Sequence, residues 1–563
     1  MIRAMPFAAD IIVIITYFAV IMGIGLSQRS KSGSVEGFTL GDRQTPWWAV
    51  LASIIAAEIS AATFLGAPGE GFEKRNWTYV QLAIGTILAR IFVSVVFIPV
   101  YYKHGVISIY EFLQTRFGPV TRKASSITFI VTRVLAMGTR LYVSAIIVVL
   151  AFEMFHGRPV EPTEKFWLFT VALVLVSLLT AVYTSIGGIR AVIWTDFIQV
   201  GVLVTAVGFA IVFLLSKLDG GWHAIGEHIV SPVFFDWGTN GGRWPDFTYI
   251  LTNEFTMWAA FIASTFVTMA THGIDQDTVQ RMLTAKNRRQ SAFATIMSGL
   301  VDVPIVSAFV FIGLLLSLYY QQHPDAGLPH ESREAFPYFI LHVMPAGLRG
   351  LVTAGILATA MGSLSTALNA LSTSFARDFI LPKLGPDADD AAKMRVLRWS
   401  TVMFAVGIIA VGVTTAWYVT WHPETRIIPL VLGILGYTFG SVLGIFLVAM
   451  FTKTRGNDFG NVLAMVCGFV AVLFMSNVLD VQQQLGFDRS GISILTQNEK
   501  KPDERTIVEM NDPRVKENDR EPSPAFLPKL VLAFPWRITL GTFITVAVAL
   551  CFKTKKLKTE DER

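Results

Sequence analysis

Stretches of about 20 apolar residues recur along this chain, and that length matches the hydrocarbon core of a bilayer. Thirteen can be placed, centred near Ile15, Ala56, Ile91, Leu141, Val176, Val204, Ile262, Ile305, Ala360, Val411, Leu443, Val470 and Thr545. Of the 563 residues, 53% are hydrophobic and only 15% charged, against about 25% charged in soluble domains. A water-soluble fold of this length has no way to hide so much apolar surface. Soluble enzymes, secreted disulfide scaffolds and nucleic-acid binders are thereby excluded. Cys467 and Cys551 both lie in apolar runs and have neither disulfide-framework nor metal-site spacing. The expected fold class is an all-α polytopic membrane protein, monomeric or weakly oligomeric, with the lipid bilayer as its main partner and no nucleic acid bound.

Orientation follows from Lys and Arg in short loops. One side collects Arg29, Lys31 and Arg43, then Lys103, Arg116, Arg122 and Lys123, then the basic residues of 281–289, 383–398, 453–455 and 553–558. The opposite short loops are poor in them. With thirteen crossings, the N-terminus is expected outside and the C-terminus in the cytoplasm of a cell producing a multi-pass cytoplasmic-membrane protein. The opening segment has a weak basic end and no small-residue cleavage site, so it reads as a retained span rather than a signal peptide. Residues 1–36 are expected to be a leading helix with a cytoplasmic loop, 37–456 a core, and 457–563 peripheral helices with an external polar loop at 481–534 and a short cytoplasmic tail.

After the leading helix, the next ten spans divide into five plus five, at 46–217 and 249–456. An odd number per half makes the halves inverted relative to each other. The first span of each half is interrupted: polar residues and Ala67-Pro68-Gly69 break the first, and Thr271, His272 and Gly273 break the second. Interrupted helices in corresponding positions are the sequence mark of a binding site at the membrane midplane.

Two segments carry chemistry. In the stretch around 355–375, Thr359, Ser363 and Thr366 share one helical face with Ser365 beside them. Hydroxyls and freed carbonyls are hard oxygen donors suited to an alkali cation, although the same small residues also let helices pack closely. In GGIRAVIWTDFIQ, residues 187–199, Asp196 enters an apolar run. An unpaired aspartate deep in a span costs roughly 2.5–3.5 kcal/mol and calls for a partner, such as a cation; near the headgroups it would instead cap its own helix.

GGIRAVIWTDFIQ, AMGSLSTALNALSTSFARDF at 360–379 and PWWAVLASIIAAEISAATFLGAPGEGF at 46–72 together resemble the sodium:solute symporter family, over residues 38–451. The resemblance implies a LeuT-like inverted-repeat core and sodium-driven alternating access, with Na+ as coupling ion, no other cofactor and no enzymatic activity. Carried over by position, it implies a general sodium site from the carbonyls of Ala56, Ile59 and Thr359 and hydroxyls at 362 and 363. Here those positions are Gly362 and Ser363, so one hydroxyl of the family pattern is missing. A second sodium site is implied at Asp196, Ser363, Ser365 and Thr366.

For the solute, Ser60 and Thr63 resemble the sialic-acid-transporting branch, and Gln81 is expected to play a matching role. That branch clamps a carboxylate with an arginine, and VTRVLAMGTRLYVSA offers Arg133 and Arg140 seven apart on one face. A guanidinium holds a carboxylate through two parallel hydrogen bonds. Arg140, nearer the span's centre, is the expected clamp, with Glu58 as the protein acid that could instead pair with it. Thr271 and Asp302 complete the expected solute site; Asp302 stands where a galactose-carrying member has lysine. Arg90 reads as structural or interfacial, and Asp275, Asp277 and Arg281 as a cytoplasmic salt-bridge cluster rather than a site. The reading is a sodium-coupled importer of a small organic solute, a sialic or other organic acid, with a sugar or polyol carrier as the rival within transport. A transporter-like sensor is the rival from another class, and it would normally bring a soluble output domain.

Overall fold

The computed structural model describes residues 5–28, 33–156, 160–223, 225, 233–385, 388–422, 427–476 and 531–554, with the backbone alone at 5–6, 61–62, 154–156 and 427–432. The expected external loop at 481–534 therefore lies, through residue 530, outside the described residues, as does the tail from 555. Among the described residues the regular structure is helical, apart from two isolated bridges, Thr45 with Ala285 and Arg455 with Lys553. We label the principal helices α1 (Met5–Ser27), α2 (Trp47–Glu58), α3 (Ala61–Lys74), α4 (Val80–His104), α5 (Pro119–His156) and α6 (Pro162–Lys217). They continue with α7 (Ala259–Ile274), α8 (Gln276–Met282), α9 (Arg288–Gln322) and α10 (Leu348–Leu384). The last are α11 (Asp390–Trp421), α12 (Ile427–Phe451), α13 (Asp458–Met475) and α14 (Phe534–Leu550).

Nine described helices are long and apolar enough to cross a membrane, and the bent pair α2–α3 makes a tenth. α6 has 56 residues, about 84 Å at 1.5 Å per residue, far more than one crossing needs. Gly188, at φ 58° and ψ −150°, divides it into two arms. A count of thirteen follows if each arm is one crossing and the shorter apolar helices α7 and α14 are one each.

Burial sorts the helices. In α10, 94% of the spanning window is buried, against 17% in α1 and 39% in α11, so α10 is the central rod. It packs against α6, α5, α1, α2 and α11. The outer faces of α1, α6 and α11 leave Ile12, Ile15, Leu178, Val212, Trp399 and Val406 exposed, the apolar belt that lipid requires. α1 is pinned by Asp10, whose Oδ2 accepts from Arg349 Nε (2.8 Å) and Nη2 (2.5 Å) and whose Oδ1 accepts from the backbone N–H groups of Gly347 and Gly350 at the start of α10. Unpaired helix-start donors and a negative carboxylate suit each other.

Both interruptions are present, each a little displaced from its expected place. α2 ends before Ile59, which is extended (φ −76°, ψ 98°), and Ser60 then caps α3 by accepting from Thr63 N. The two segments bend by 62°. The Ala67-Pro68-Gly69 sequence lies within α3 rather than at the break. In the second half Thr271, His272 and Gly273 stay helical in a π-turn, and the chain breaks at Asp275 (φ −93°, ψ 115°), whose side chain caps α8. A wider turn absorbs the polar residues, and the aspartate supplies the cap. Carbonyls released at this break are taken by Tyr101, whose hydroxyl donates to Gly273 O (2.5 Å), and Tyr110, whose hydroxyl donates to Ile274 O (3.2 Å).

Close helix contact depends on absent side chains. A Cβ built on Gly85 of α4 would lie 1.9 Å from Ala260 O of α7. Gly85→Ala must push these helices apart, and overpacking of this kind costs about 1–3 kcal/mol or more. We expect a lower thermal midpoint and less folded protein on gel filtration. The control is Gly208→Ala, where nothing lies within 4 Å, and it should match the parent.

Candidate functional site

Two polar sites flank the end of α2. The first is an oxygen pocket between α2, α6 and α10. Asp196 is fully buried; its Oδ2 accepts a 2.5 Å hydrogen bond from Ser53 Oγ of α2, and its Oδ1 has no partner among the described residues. One turn further along α6, Gln199 is 2% exposed and its Oε1 is likewise unpartnered, while its amide nitrogen donates to the Tyr17 hydroxyl at 3.4 Å. Across from them stands Gly362. A Cβ built there would lie 2.8 Å from Gln199 Oε1, 3.4 Å from Ala56 O and 3.6 Å from Asp196 Oδ1. Ser363 Oγ, next in α10, is also buried without a partner.

Buried polar atoms are normally paired. Three oxygens without a hydrogen-bond partner among the described residues (Asp196 Oδ1, Gln199 Oε1 and Ser363 Oγ), plus a carbonyl near the end of a helix, form a set suited to a desolvated cation. Three further hydroxyls of α10 near the pocket donate within their own helix: Thr359 Oγ1 to Ile356 O (2.7 Å), and Ser365 Oγ and Thr366 Oγ1 to Gly362 O (3.0 Å each). This satisfies their protons and leaves their oxygens able to accept. Ile59 is the extended residue that closes α2.

The second site is a cavity of about 280 Å³ whose wall includes Ala57, Glu58, Ile59, Thr63, Thr86, Arg90, Arg133, Arg140, Thr268, Thr271, His272, Asp275, Asp277 and Asp302. It thus joins Glu58, Thr63, Arg140, Thr271 and Asp302, five of the residues expected to meet solute. Ser60 and Gln81 are outside this wall. Ser60 is spent capping α3, and Gln81 Nε2 donates to Phe255 O at 2.5 Å, tying α4 to the segment before α7.

The ion pairs differ from those expected. Glu58 pairs with Arg90 (2.5 Å) and faces His272 Nε2 (2.5 Å), not Arg140. Arg90 is therefore part of the cavity wall rather than interfacial; it is 2% exposed and lies 3.9 Å from Asp302. Arg133 pairs with Asp275 and, at 3.4 Å, with Asp277. Asp275, Asp277 and Arg281 are a cluster, but a buried one whose two aspartates line the cavity. Arg140 has no ion-pair or hydrogen-bond partner for its guanidinium among the described residues. A polar chain links the two sites: Arg281 donates to Ser53 O (3.0 Å) and to Asp277 Oδ1 (2.9 Å), while the Ser53 hydroxyl donates to Asp196.

Sequence reasoning missed Gln199, Ser53 and Tyr17. The signal for Gln199 was its place three residues after Asp196, on the same face of one helix. Ser53 and Tyr17 lie on separate helices and carried no such signal.

This fold and paired site define a secondary transporter, and the comparisons agree. The chain belongs to the sodium:solute symporter family, whose pattern matches residues 38–468. It is similar to the sodium/sialic acid symporter SiaT of Proteus mirabilis (strain HI4320), with 29% identity over 473 residues, covering 82% of this chain and 88% of that protein. It is also similar to sodium-coupled monocarboxylate transporter 2 of Danio rerio, 27% identical over 467 residues, covering 80% of this chain and 69% of that protein. The fold is that of a Na+-coupled sialic acid symporter solved in a substrate-bound outward-open state, with a TM-score of 0.74 and 23% identity over 98% of this chain and 99% of that one. The chain is a multi-pass, LeuT-like, sodium-coupled symporter of a small solute, in a transporter family rather than an enzymatic one.

Proposed function

We propose that this symporter imports a carboxylate-bearing organic solute, such as a sialic acid or another organic acid, across a cytoplasmic membrane. In this reading the N-terminus is outside and the C-terminus in the cytoplasm, as the basic loops require. Arg140 carries the solute class: every other arginine in the cavity wall is engaged by a protein carboxylate, and among the described residues this one is not. Sialic acid and monocarboxylates, the solutes in the relatives' names, both present a carboxylate.

Sodium is held between α2, α6 and α10. Ala56, Ile59, Thr359 and Ser363 form the general site, and Asp196 with Ser363, Ser365 and Thr366 a second. Gln199 Oε1 stands where the serine common at 362 in the family would put its hydroxyl, so the amide oxygen replaces the missing ligand. Each ion crossing about 100 mV contributes about 2.3 kcal/mol, which supports roughly 40- to 50-fold accumulation of a neutral solute. Two ions support on the order of a thousandfold, less the share offset by an anionic cargo. The chain from Asp196 through Ser53 and Arg281 to Asp277 gives ion binding a route to order the solute cavity.

The test is thermal stability and proteoliposome uptake in sodium against choline. A ligand of the folded state raises its apparent stability, so sodium should raise the midpoint and choline should not. Gln199→Leu should raise the half-saturating sodium concentration about tenfold, the loss of one hydrogen-bond-scale contact to a charge, about 1.5 kcal/mol. An unchanged sodium response in that variant removes Gln199 from the ion site.

A further inference from the structure

We infer that the solute is zwitterionic, with its carboxylate on Arg140 and a cationic amine on Asp302. The inference rests on the carboxylate reading above and narrows it. Its basis is the charge inventory of the cavity. Glu58 takes Arg90 at 2.5 Å, Arg133 takes Asp275, and Arg281 takes Asp277 at 2.9 Å. Two groups of opposite sign are left over. One is the Arg140 guanidinium, without a partner among the described residues. The other is Asp302, whose side chain is 14% exposed, accepts no hydrogen bond among the described residues, and has as its one cation an Arg90 nitrogen 3.9 Å away that already serves Glu58. His272 does not relieve it, since its Nε2 faces Glu58 and its Nδ1 the Thr271 hydroxyl.

A buried carboxylate is tolerated when it is paired and hydrogen-bonded. Asp302, largely buried, has only the long contact with Arg90, shared with Glu58, and no hydrogen bond among the described residues, and it shares one cavity with the free guanidinium. A solute carrying only a carboxylate would neutralise Arg140 and leave Asp302 with no more than its 3.9 Å share of Arg90. A solute carrying an ammonium as well completes both. Sites with a fixed polar group discriminate strongly against ligands that leave it unpaired.

Thermal stabilisation of the purified full-length protein in sodium, together with competition for uptake, decides the question with matched pairs. The probes are 3-, 4- and 5-carbon ω-amino acids and leucine, each against the alkanoate of the same skeleton; varying the spacing samples the separation of the two charges. The expected result is binding of at least one amino acid about a hundredfold tighter than its alkanoate. In Asp302→Asn that ratio should fall at least about tenfold, while alkanoate binding holds or improves. Alkanoates binding as tightly as their amino acids in the parent protein overturn the inference and leave the carboxylate reading standing. An unchanged ratio in a folded Asp302→Asn variant overturns it too, and the parent panel alone decides if that variant does not fold. Stabilisation by uncharged sugars but by neither charged class overturns the carboxylate reading itself.

Discussion

Asp196→Asn should cost the symporter its second sodium ion while the protein still folds. The asparagine oxygen can keep the bond from Ser53. Its amide nitrogen would then point toward the Ala56 carbonyl and Gln199 Oε1, which surround Gly362 with Asp196 Oδ1. A neutral donor thereby occupies the place of the cation. The lost charge contact, about 4 kcal/mol for unit charges 4 Å apart at an effective dielectric of 20, is offset in part by these new hydrogen bonds. A net loss of about 3 kcal/mol raises the half-saturating sodium concentration on the order of a hundredfold. The diagnostic pair of measurements is a thermal midpoint in choline at or above the parent's, and a smaller rise than the parent's when sodium is added, the part that remains being the ion of the general site. A parental sodium response in the asparagine variant would remove the second ion site.

Arg140→Ala should remove transport of every accepted carboxylate solute and leave sodium binding intact. Truncating one partner of a desolvated, hydrogen-bonded charge pair costs about 2–5 kcal/mol, so uptake efficiency should fall at least thirtyfold. Arg140→Lys should recover only part of it, because an ammonium lacks the two-pronged geometry of a guanidinium. Arg133→Ala provides the contrast. Arg133 is bound by Asp275 and Asp277; its removal leaves Asp277 with Arg281 but strands the buried Asp275, which costs stability of about 3–5 kcal/mol. The two arginines are seven residues apart on one helix, yet one variant should fold and fail to transport while the other should fail to fold well. Uptake by Arg140→Ala equal to the parent's would remove the clamp.

How far these roles could be read in advance depends on the distance over which each interaction is set. The lipid-facing belt, the ten-span symmetry and the two broken helices are properties of contiguous residues, and hydropathy and local polarity report them directly. The positions of the breaks were less legible: the polar run Thr271–Gly273 is absorbed by a π-turn, and the chain opens only at Asp275, because turn width answers to the packing around it. Asp196 was legible as a carboxylate in an apolar run. Gln199 was not, since an amide among apolar residues is unremarkable until Gly362 is seen to leave room for it. Pairing was the least legible. The sequence leaves Arg140 as one of several partners open to Glu58, which is bound by Arg90, 32 residues away on α4; Asp10 meets Arg349 across 339 residues.

From residues alone came the membrane as solvent, the inverted halves, the family and the segments proposed to hold an ion, since each is written in runs of side chains whose spacing a helix preserves. Tertiary structure alone decided which arginine is spent and which is free among the described residues, which carboxylate must share its cation, and which amide oxygen lies beside the gap at Gly362. Those outcomes turn on helix crossings, where a shift of one side chain's width exchanges one partner for another and no local pattern records the choice.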